Sequence, residues 1–397
     1  MAIKVGVGKS KEIDSFAAGT LAAKNAIDQL GSGKSPNLIF VFASPRFDHK
    51  QLIQGIKSVI SDCPLVGCTT AGEITSEGPD KKSVVIMAIE SNTLHAAVGL
   101  GENISKDSRR AGQEAAHDTV VKTRQGLARH VFLMLSDGLT GNGVDIIRGV
   151  QEVLGTSFPI VGGSAADDFM FNNTFQYYDE GVHQDSICGV LFSGDISIGI
   201  GARHGWYPLG KPRIVTAADH NIIKKLDGKP AARIYEDYFG KRVADLQHEP
   251  MARMSVMYPL GLSIPEEEEC IIRNAMRVDS EGSLICAGEV PKGSEIRVMM
   301  GSKETALKAA KKAAKIALSG LRKRKASMVF IFDSVSRERL FGLKAKEEIA
   351  VVQEIFGPDT PIAGFYTYGE QAPLGATINL GQTFFHNETI VVFAIGE

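Results

Sequence analysis

Hydrophobic positions along the chain switch between two periods, and the switch recurs. Short apolar runs of strand length, such as Leu38 to Ala43 and Val84 to Ile89, alternate with stretches whose apolar residues fall at i, i+3, i+4 and i+7. The second pattern is one buried face of a helix. In one segment the stripe is Leu52, Ile53, Ile56, Val59 and Ile60. In another it is Ile146, Ile147, Val150, Val153 and Leu154, at identical spacing. In a third it is Ile349, Val352, Ile355 and Phe356, with Glu348 in place of the first apolar member.

The strands around these stripes repeat as well. Val5-Gly6-Val7-Gly8, Val98-Gly99-Leu100-Gly101, Ile198-Gly199-Ile200-Gly201 and a looser Val298-Met299-Met300-Gly301 start 93, 100 and 100 residues apart, dividing the chain into quarters. Three quarters carry a Phe-containing strand (Phe40 to Ser44, Phe132 to Ser136, Phe330 to Ser334), then the helical stripe, then a strand behind a proline: Pro64-Leu65-Val66-Gly67, Pro159-Ile160-Val161-Gly162 and Pro361-Ile362-Ala363-Gly364. Proline suits the first position of a strand, where no ladder donor is needed. Nine residues after each proline stands a carboxylate, Glu73, Asp168 or Glu370, and each unit closes on a buried strand. An internal repeat of roughly 100 residues follows. The third quarter departs, and reads as a remodelled unit or as an insertion supplying extra antiparallel strands. In it, Asp279-Ser280-Glu281-Gly282 forms a turn between Ile271 to Val278 and Leu284 to Ala287. The fold class expected is α/β: two pseudo-repeated halves, 1–206 and 207–397, with mixed sheets covered by helices. The boundary falls near Trp206 to Asn221, where glycine, proline and polar residues cluster.

At 397 residues the chain can fill two or more cores. Apolar residues at 44% and charged residues at 23% place it among globular proteins. A formal net charge of −2 gives no global field for nucleic acid or an anionic membrane. No apolar run approaches the ~20 residues of a membrane helix. The opening MAIKVGVGKSKEID has no apolar stretch after its first basic residue, so no secretory signal is expected. Five cysteines without CxxC spacing argue against a disulfide framework or a zinc site, and fit reduced thiols in a cytoplasm. Nine histidines without HxH or HExxH spacing give no metal site. Gly8-Lys9-Ser10 and Gly33-Lys34-Ser35 lack the earlier glycine of a phosphate loop, which falls on Ile3 and Asp28. No cofactor is expected.

The chemistry-bearing residues gather in the three loops after the Pro-strands. These hold Cys68, Thr69, Thr70, Gly72 and Glu73; Gly163, Ser164, Asp167 and Asp168; and Tyr366, Thr367, Tyr368, Gly369 and Glu370. Glycine admits close backbone approach, hydroxyls donate or accept, and a carboxylate holds an ammonium group. Ligands in α/β sheets bind beyond the carboxyl ends of strands. Recurrence in every copy also fits a structural role, each carboxylate bonding backbone N–H groups of its own turn. A second set sits at the ends of the Phe-strands: Ser44 with Arg46, Asp137 with Thr140 and Asn142, and Asp333 with Ser334. Asp137 opens a glycine-rich loop before a helix N-terminus, fit either to accept an anion or simply to cap. Arg233 and Tyr235 could meet a ligand carboxylate. Cys68 and Ser136 are the candidate nucleophiles of an enzymatic alternative, a hydrolase or transferase, without a local base for the thiol. Glu266 to Glu269 reads as a solvated loop. The helix from Lys303 to about Arg324 puts Lys308, Lys311, Lys312 and Lys315 on one face, fit for solvent or for an acidic partner.

Through Phe42-Ala43-Ser44-Pro45, Pro64 to Glu73 and Pro159 to Asp168 the first half resembles the FIST N domain. Through Leu226-Asp227-Gly228-Lys229-Pro230-Ala231 and Gly364 to Glu370 the second resembles the FIST C domain. The resemblance implies a sensory role in intracellular signal transduction, with a small ligand, such as an amino acid or related metabolite, bound. It assigns no catalytic residue. Both ends fall inside repeat units, so the output is expected to pass to a separate partner such as a kinase or chemoreceptor. A ligand-free protein-interaction scaffold is the remaining alternative.

Overall fold

The computed structural model describes residues 3–31, 35–248, 251–265, 269–374 and 382–397, without the side chains of residues 252 and 253. The α/β class holds: mixed sheets carry helices on one face. Three sheets repeat one plan. The first layer orders its strands Lys4–Ser10, Val84–Glu90, Leu38–Ala43 and Leu65–Thr69. The second orders Leu94–Glu102, Ser186–Gly194, Arg129–Ser136 and Ile160–Gly163. The third orders Ser197–Arg203, Ile390–Gly396, Ala326–Ser334 and Ile362–Thr367. In each layer the Phe-strand and the Pro-strand are parallel and the other neighbours antiparallel.

Each sheet is then completed by a hairpin from another layer. Gln176–Tyr178 and Gly181–His183 extend the first sheet, Glu370–Pro373 and Thr383–His386 the second, and Glu73–Thr75 and Gly78–Asp80 the third. The register repeats too: Gln176 opposes Cys68, Glu370 opposes Gly163, and Glu73 opposes Phe365, always the fourth residue of the Pro-strand. The handover is cyclic, second to first, third to second, first to third.

Both faces of the Phe-strands are buried, which is why they read as continuous apolar runs. Leu38, Phe40 and Phe42 point into a shared core with Phe192, Phe330, Phe332, Phe365 and Phe393. Phe40 meets Phe330 at 4.8 Å between ring centroids, and Phe42 meets Phe365 at 4.9 Å. The alternate residues Ile39, Val41 and Ala43 face the helices of their own layer. The helical stripes land as their spacing predicts, with Leu52, Ile53, Ile56, Ile146, Ile147, Val150, Ile349 and Val352 buried.

The repeated apolar-Gly strand has a steric cause. A Cβ on Gly6 or Gly8 would stand 1.9 Å from Ala26 O or 2.1 Å from Ala22 O. On Gly99 or Gly101 it would stand 2.3 Å from Ala115 O or 2.0 Å from Ala111 O, and on Gly199 or Gly201 1.7 Å from Ala317 O or 2.0 Å from Ala313 O. In each layer an Ala pair four apart, on one helix face, rides directly on the strand backbone.

Three layers share the plan, and of the two readings open for the third quarter the structure has the insertion. Two features differ from the sequence expectation. Val298 to Met300 lies in the strand Glu295–Met300, which pairs with Tyr207–Asp219 and Leu260–Leu262 in a separate sheet. Gly301 is small for another reason, since its Cβ would meet the Trp206 ring at 2.3 Å. Ser197–Arg203 is therefore the first strand of the last layer. The segment from Tyr207 to Met300 is the insertion that supplies antiparallel strands, with its own core around Val215, Ile223, Tyr235, Leu260 and Val298. Within it Asp279 accepts from Glu281 N and Ser283 N, and Gly282 takes φ +76°, forming the expected turn. The strand expected over Ile271 to Val278 breaks at Asn274, one part pairing with Leu260–Leu262 and the other with Leu284–Cys286.

Gly201→Ala forces a methyl group against the Ala313 carbonyl. It should lower stability by about 1–3 kcal/mol or more, against less than about 0.5 kcal/mol for Lys24→Ala on the exposed helix face. Urea unfolding that finds the two variants equal contradicts this packing account.

Candidate functional site

The loops after the Pro-strands first show how the layers are closed. Glu73 is fully buried and accepts from Ser83 N at 3.1 Å, from the Ser83 hydroxyl and from Thr70 Oγ1. Glu370, equally buried, accepts from Thr389 N at 3.1 Å. Ser83 and Thr389 stand just before the last strands of their layers. The counterpart in the second layer is Ser186, whose hydroxyl donates to Gln176 at 2.9 Å. The third member of the repeat is thus Gln176 and not Asp168. An excursion between Gly163 and Gln176 shifts the equivalent position. Asp168 lies in that excursion at φ +55°, accepting from Ser44 Oγ at 3.3 Å.

The other candidates divide. Thr69 pairs through its backbone and hydroxyl with Phe175. Gly72 admits the Tyr366 ring edge. Gly163 and Gly369 are packed against Thr367 and Phe385 respectively. Tyr235 is buried in the inserted core and donates to Tyr258 O at 3.0 Å, while Arg233 is exposed beside Glu236 at 3.8 Å. Tyr366 is buried among charged groups. Asp137, Ser164 and Tyr368 converge on one cavity of about 330 Å³.

This cavity lies at the carboxyl ends of the strands Arg129–Ser136, Ile160–Gly163, Ala326–Ser334 and Ile362–Thr367, where the second and third layers meet. The inserted sheet closes it with Asn221, Asn274, Met276 and Cys286. Asp137 is spent on the loop itself: it accepts from Leu139 N at 2.8 Å, Thr140 N at 3.1 Å and Asp185 N at 3.1 Å. Ser164 Oγ lies 3.1 Å from Ser136 Oγ and accepts from Gln371 Nε2 at 3.0 Å. Asp167 is fully buried and organises the excursion, accepting from Phe171 N, Asn172 N and Asn173 N at 2.7–3.1 Å and from the Tyr368 hydroxyl. The Tyr368 oxygen accepts in turn from Phe169 N at 2.8 Å. The excursion also brings Phe169 and Phe171 to the wall. Ser334, Ser336 and Arg339 come from the third layer and Asn387 from its closing turn. Three sunken polar atoms of this wall, Thr140 Oγ1, Asn274 Oδ1 and Asn387 Oδ1, have no hydrogen-bond partner among the described residues.

Behind the wall lies a fully buried charge cluster. Arg337 donates from Nε to Glu348 Oε1 at 3.1 Å, from Nη2 to Ala306 O at 3.0 Å and from Nη1 to Glu388 O at 3.2 Å. Its Nε lies 3.2 Å from Asp333 Oδ1. Glu348, the polar member of the third helical stripe, is there to receive this guanidinium. Burial pushes Asp333 and Glu370 well above the carboxylate range, and lifts Glu388 to about 8 against the pull of Ser336 and Asn274.

A larger cavity of about 630 Å³ opens at the amino ends of the strands, between Arg129, Pro159, Ile198 and Arg322. No motif loop reaches it, and its lining contributes no unpartnered buried side-chain atom among the described residues. Cys68 and Ser136 offer little as nucleophiles, since both are 0% exposed. Burial holds the Cys68 thiol well above its usual pKa. The five cysteines are free thiols. Glu269, expected in a solvated loop, is mostly buried and pairs with Arg203 at 2.8 Å, because that nearly buried guanidinium needs a counter-charge. Residues 266–268 of the same loop and Lys34 lie outside the described residues. The lysine helix ends at Gly320, with Lys308 paired to Glu304 and Lys311 to Glu354. No helix among the described residues is long and apolar enough to cross a membrane.

Two family models match in the order the loops suggest, the FIST N domain over residues 37–229 and the FIST C domain over residues 231–373. The chain belongs to the FIST family. The FIST N match spans the glycine-hydroxyl loops of the first two layers, and the FIST C match spans most of the insertion and the loop of the third. The chain is similar to uncharacterized proteins of Mycobacterium bovis (25% identical over 385 residues, 94% of this chain and 95% of that one) and Mycobacterium tuberculosis (24% over 382 residues, 94% and 95%). It is also similar to one of Methanocaldococcus jannaschii, 27% identical over 211 residues, or 51% of this chain and 40% of that protein. Among solved structures, a chorismatase (TM-score 0.38, 9% identity, 100% and 98% covered) and a cyanuric acid hydrolase from A. caulinodans (0.36, 9%, 99% and 99%) are distant likenesses.

Glu73 generates a pH prediction. Burial lifts its carboxyl to about 8, while Ser83 and Thr70 pull it down. Between an ordinary value near 4.5 and about 8 the folded chain keeps a proton that the unfolded chain releases. Stability therefore falls as pH rises through that window, by up to about 1.4 kcal/mol per unit. Glu73→Gln, which copies the native Gln176, should fold and should flatten the slope of urea-unfolding free energy between pH 5 and 8. An unchanged slope contradicts the buried, protonated carboxyl.

Proposed function

We propose that this FIST protein is a small-ligand sensor in intracellular signal transduction, that the ligand is an amino acid or a related metabolite, and that it binds in the 330 Å³ cavity where the second layer, the third layer and the inserted sheet meet. The observation that carries this reading is the set of unpartnered polar atoms in the cavity wall. Buried polar groups are ordinarily hydrogen-bonded, and a concave site with a few convergent polar groups is the usual form of a small-molecule site. The cavity is of ligand size, and the family association with small-ligand sensing agrees with it.

The signal has a physical route. The ligand would touch the insertion through Asn274 and the third layer through Ser334 and Ser336, so occupancy would favour one packing of the insertion on the layers. A ligand shifts such an equilibrium only through differential contacts with the two arrangements. A separate partner, such as a kinase or chemoreceptor, would read the insertion. The cytoplasm is the compartment proposed, in keeping with five free thiols.

A thermal-shift panel of free amino acids and related metabolites tests this. A binder at a hundred times its Kd stabilises the native state by about 2.7 kcal/mol, and Met276→Trp, which fills the cavity mouth, should abolish the shift while the ligand-free protein melts as before. A panel without any stabiliser, or a shift untouched by Met276→Trp, overturns the assignment.

A further inference from the structure

The same cavity holds enough unspent chemistry to name its ligand class, an inference that rests on the sensing site proposed above. Its aromatic wall is rigid. The Tyr368 ring is fixed through its hydroxyl by Asp167 and Phe169 N, and Phe171 stacks on it with centroids 5.1 Å apart and planes 17° from parallel. Phe171 is nevertheless 52% exposed. A fixed ring with one open face offers stacking at little entropic cost. Asp168, Phe169 and Phe171 take φ of +55°, +66° and +49°, conformations that non-glycine residues hold only where the surroundings impose them. The imposed conformation delivers that ring to the cavity.

The charges are as informative. The carboxylate of Asp137 is consumed by three backbone N–H groups. The Arg339 guanidinium lies over the Phe169 ring, 3.6 Å from its centroid, and makes no ion pair among the described residues. Asn387 is 2% exposed, yet among the described residues its Oδ1 accepts nothing, and neither does Asn274 Oδ1. Among the described residues the site therefore presents an unpaired cation and unpaired acceptors beside an exposed ring.

We infer that the ligand is an aromatic amino acid, its ring stacked on Phe171, its carboxylate on Arg339 and its ammonium on the amide oxygens of Asn387 and Asn274. An ammonium brings three donors and no acceptor, and a guanidinium takes a carboxylate bidentately. A ring acid without an amine leaves the buried amide oxygens unpaired, and an aliphatic amino acid leaves the ring face to water.

Titration calorimetry on the full chain with phenylalanine, leucine, phenylalaninamide and 3-phenylpropionate tests the assignment. Phenylalanine should bind roughly tenfold or more tighter than each of the others. Phe171→Leu should weaken phenylalanine about 2- to 12-fold, the equivalent of about 0.5–1.5 kcal/mol, and leave leucine unchanged. Arg339→Gln should weaken phenylalanine and leave phenylalaninamide unchanged. Leucine binding as tightly as phenylalanine, or phenylalanine binding untouched by both substitutions, overturns the aromatic assignment while leaving a sensor of other specificity. No binding by either amino acid, together with a silent thermal-shift panel, removes both.

Discussion

The exchange of hairpins between layers is the constraint on which the rest of the molecule depends. A Pro-strand at the edge of its own sheet would expose a row of unpaired backbone groups. Each layer covers that edge with a hairpin from another, and the cycle closes after three. The residue that starts the incoming hairpin (Glu73, Gln176 or Glu370) is buried and tied to a residue at the start of its own layer's last strand. It fixes where the chain leaves one sheet for the next. The recurring carboxylates therefore serve ring closure, and a glutamine does the same work in one copy.

Much of this was legible because packing imposes periods. The helical stripes, the two-faced Phe-strands and the apolar-Gly strands each reflect a local geometric demand, and each can be read from spacing alone. The glycine pairs are the clearest case, since helix carbonyls occupy the space a Cβ would take. What spacing could not show was where the repeat changes length. The nine-residue interval pointed at Asp168, but the excursion of the second layer moves the equivalent position to Gln176. Val298 to Gly301 imitates the apolar-Gly strand for an unrelated reason, contact with Trp206. Glu348 stood out as a polar residue in an apolar stripe, but its partner Arg337 lies eleven residues away on a different helix.

The cavity was only partly visible for the same reason. Asp137, Ser164 and Tyr368 belong to repeated loops, and repetition marks them in the sequence. Arg339, Asn274, Phe169 and Phe171 belong to what is not repeated: a short helix, a broken strand in the insertion and the excursion. Asn387 lies in a turn that recurs before the last strand of each layer, but with a different residue in each. A cavity built by breaking a symmetry is not visible in that symmetry. The exchange makes a ring of similar seams, and the insertion makes one of them different by supplying a roof. The polar floor of the cavity belongs to the closed ring, and the insertion is the element whose packing the proposed ligand would bias.

Native-state hydrogen exchange tests the interlocked ring most directly. If the handed-over hairpins belong to one cooperative unit, slow amides in Glu73–Thr75, Gln176–Tyr178 and Glu370–Pro373 should open with the same free energy as those of the central strands Leu38–Ala43, Arg129–Ser136 and Ala326–Ser334. Hairpins that exchange through low-energy local openings, while the three central strands stay protected, would show layers that stand without the exchange and would contradict the account.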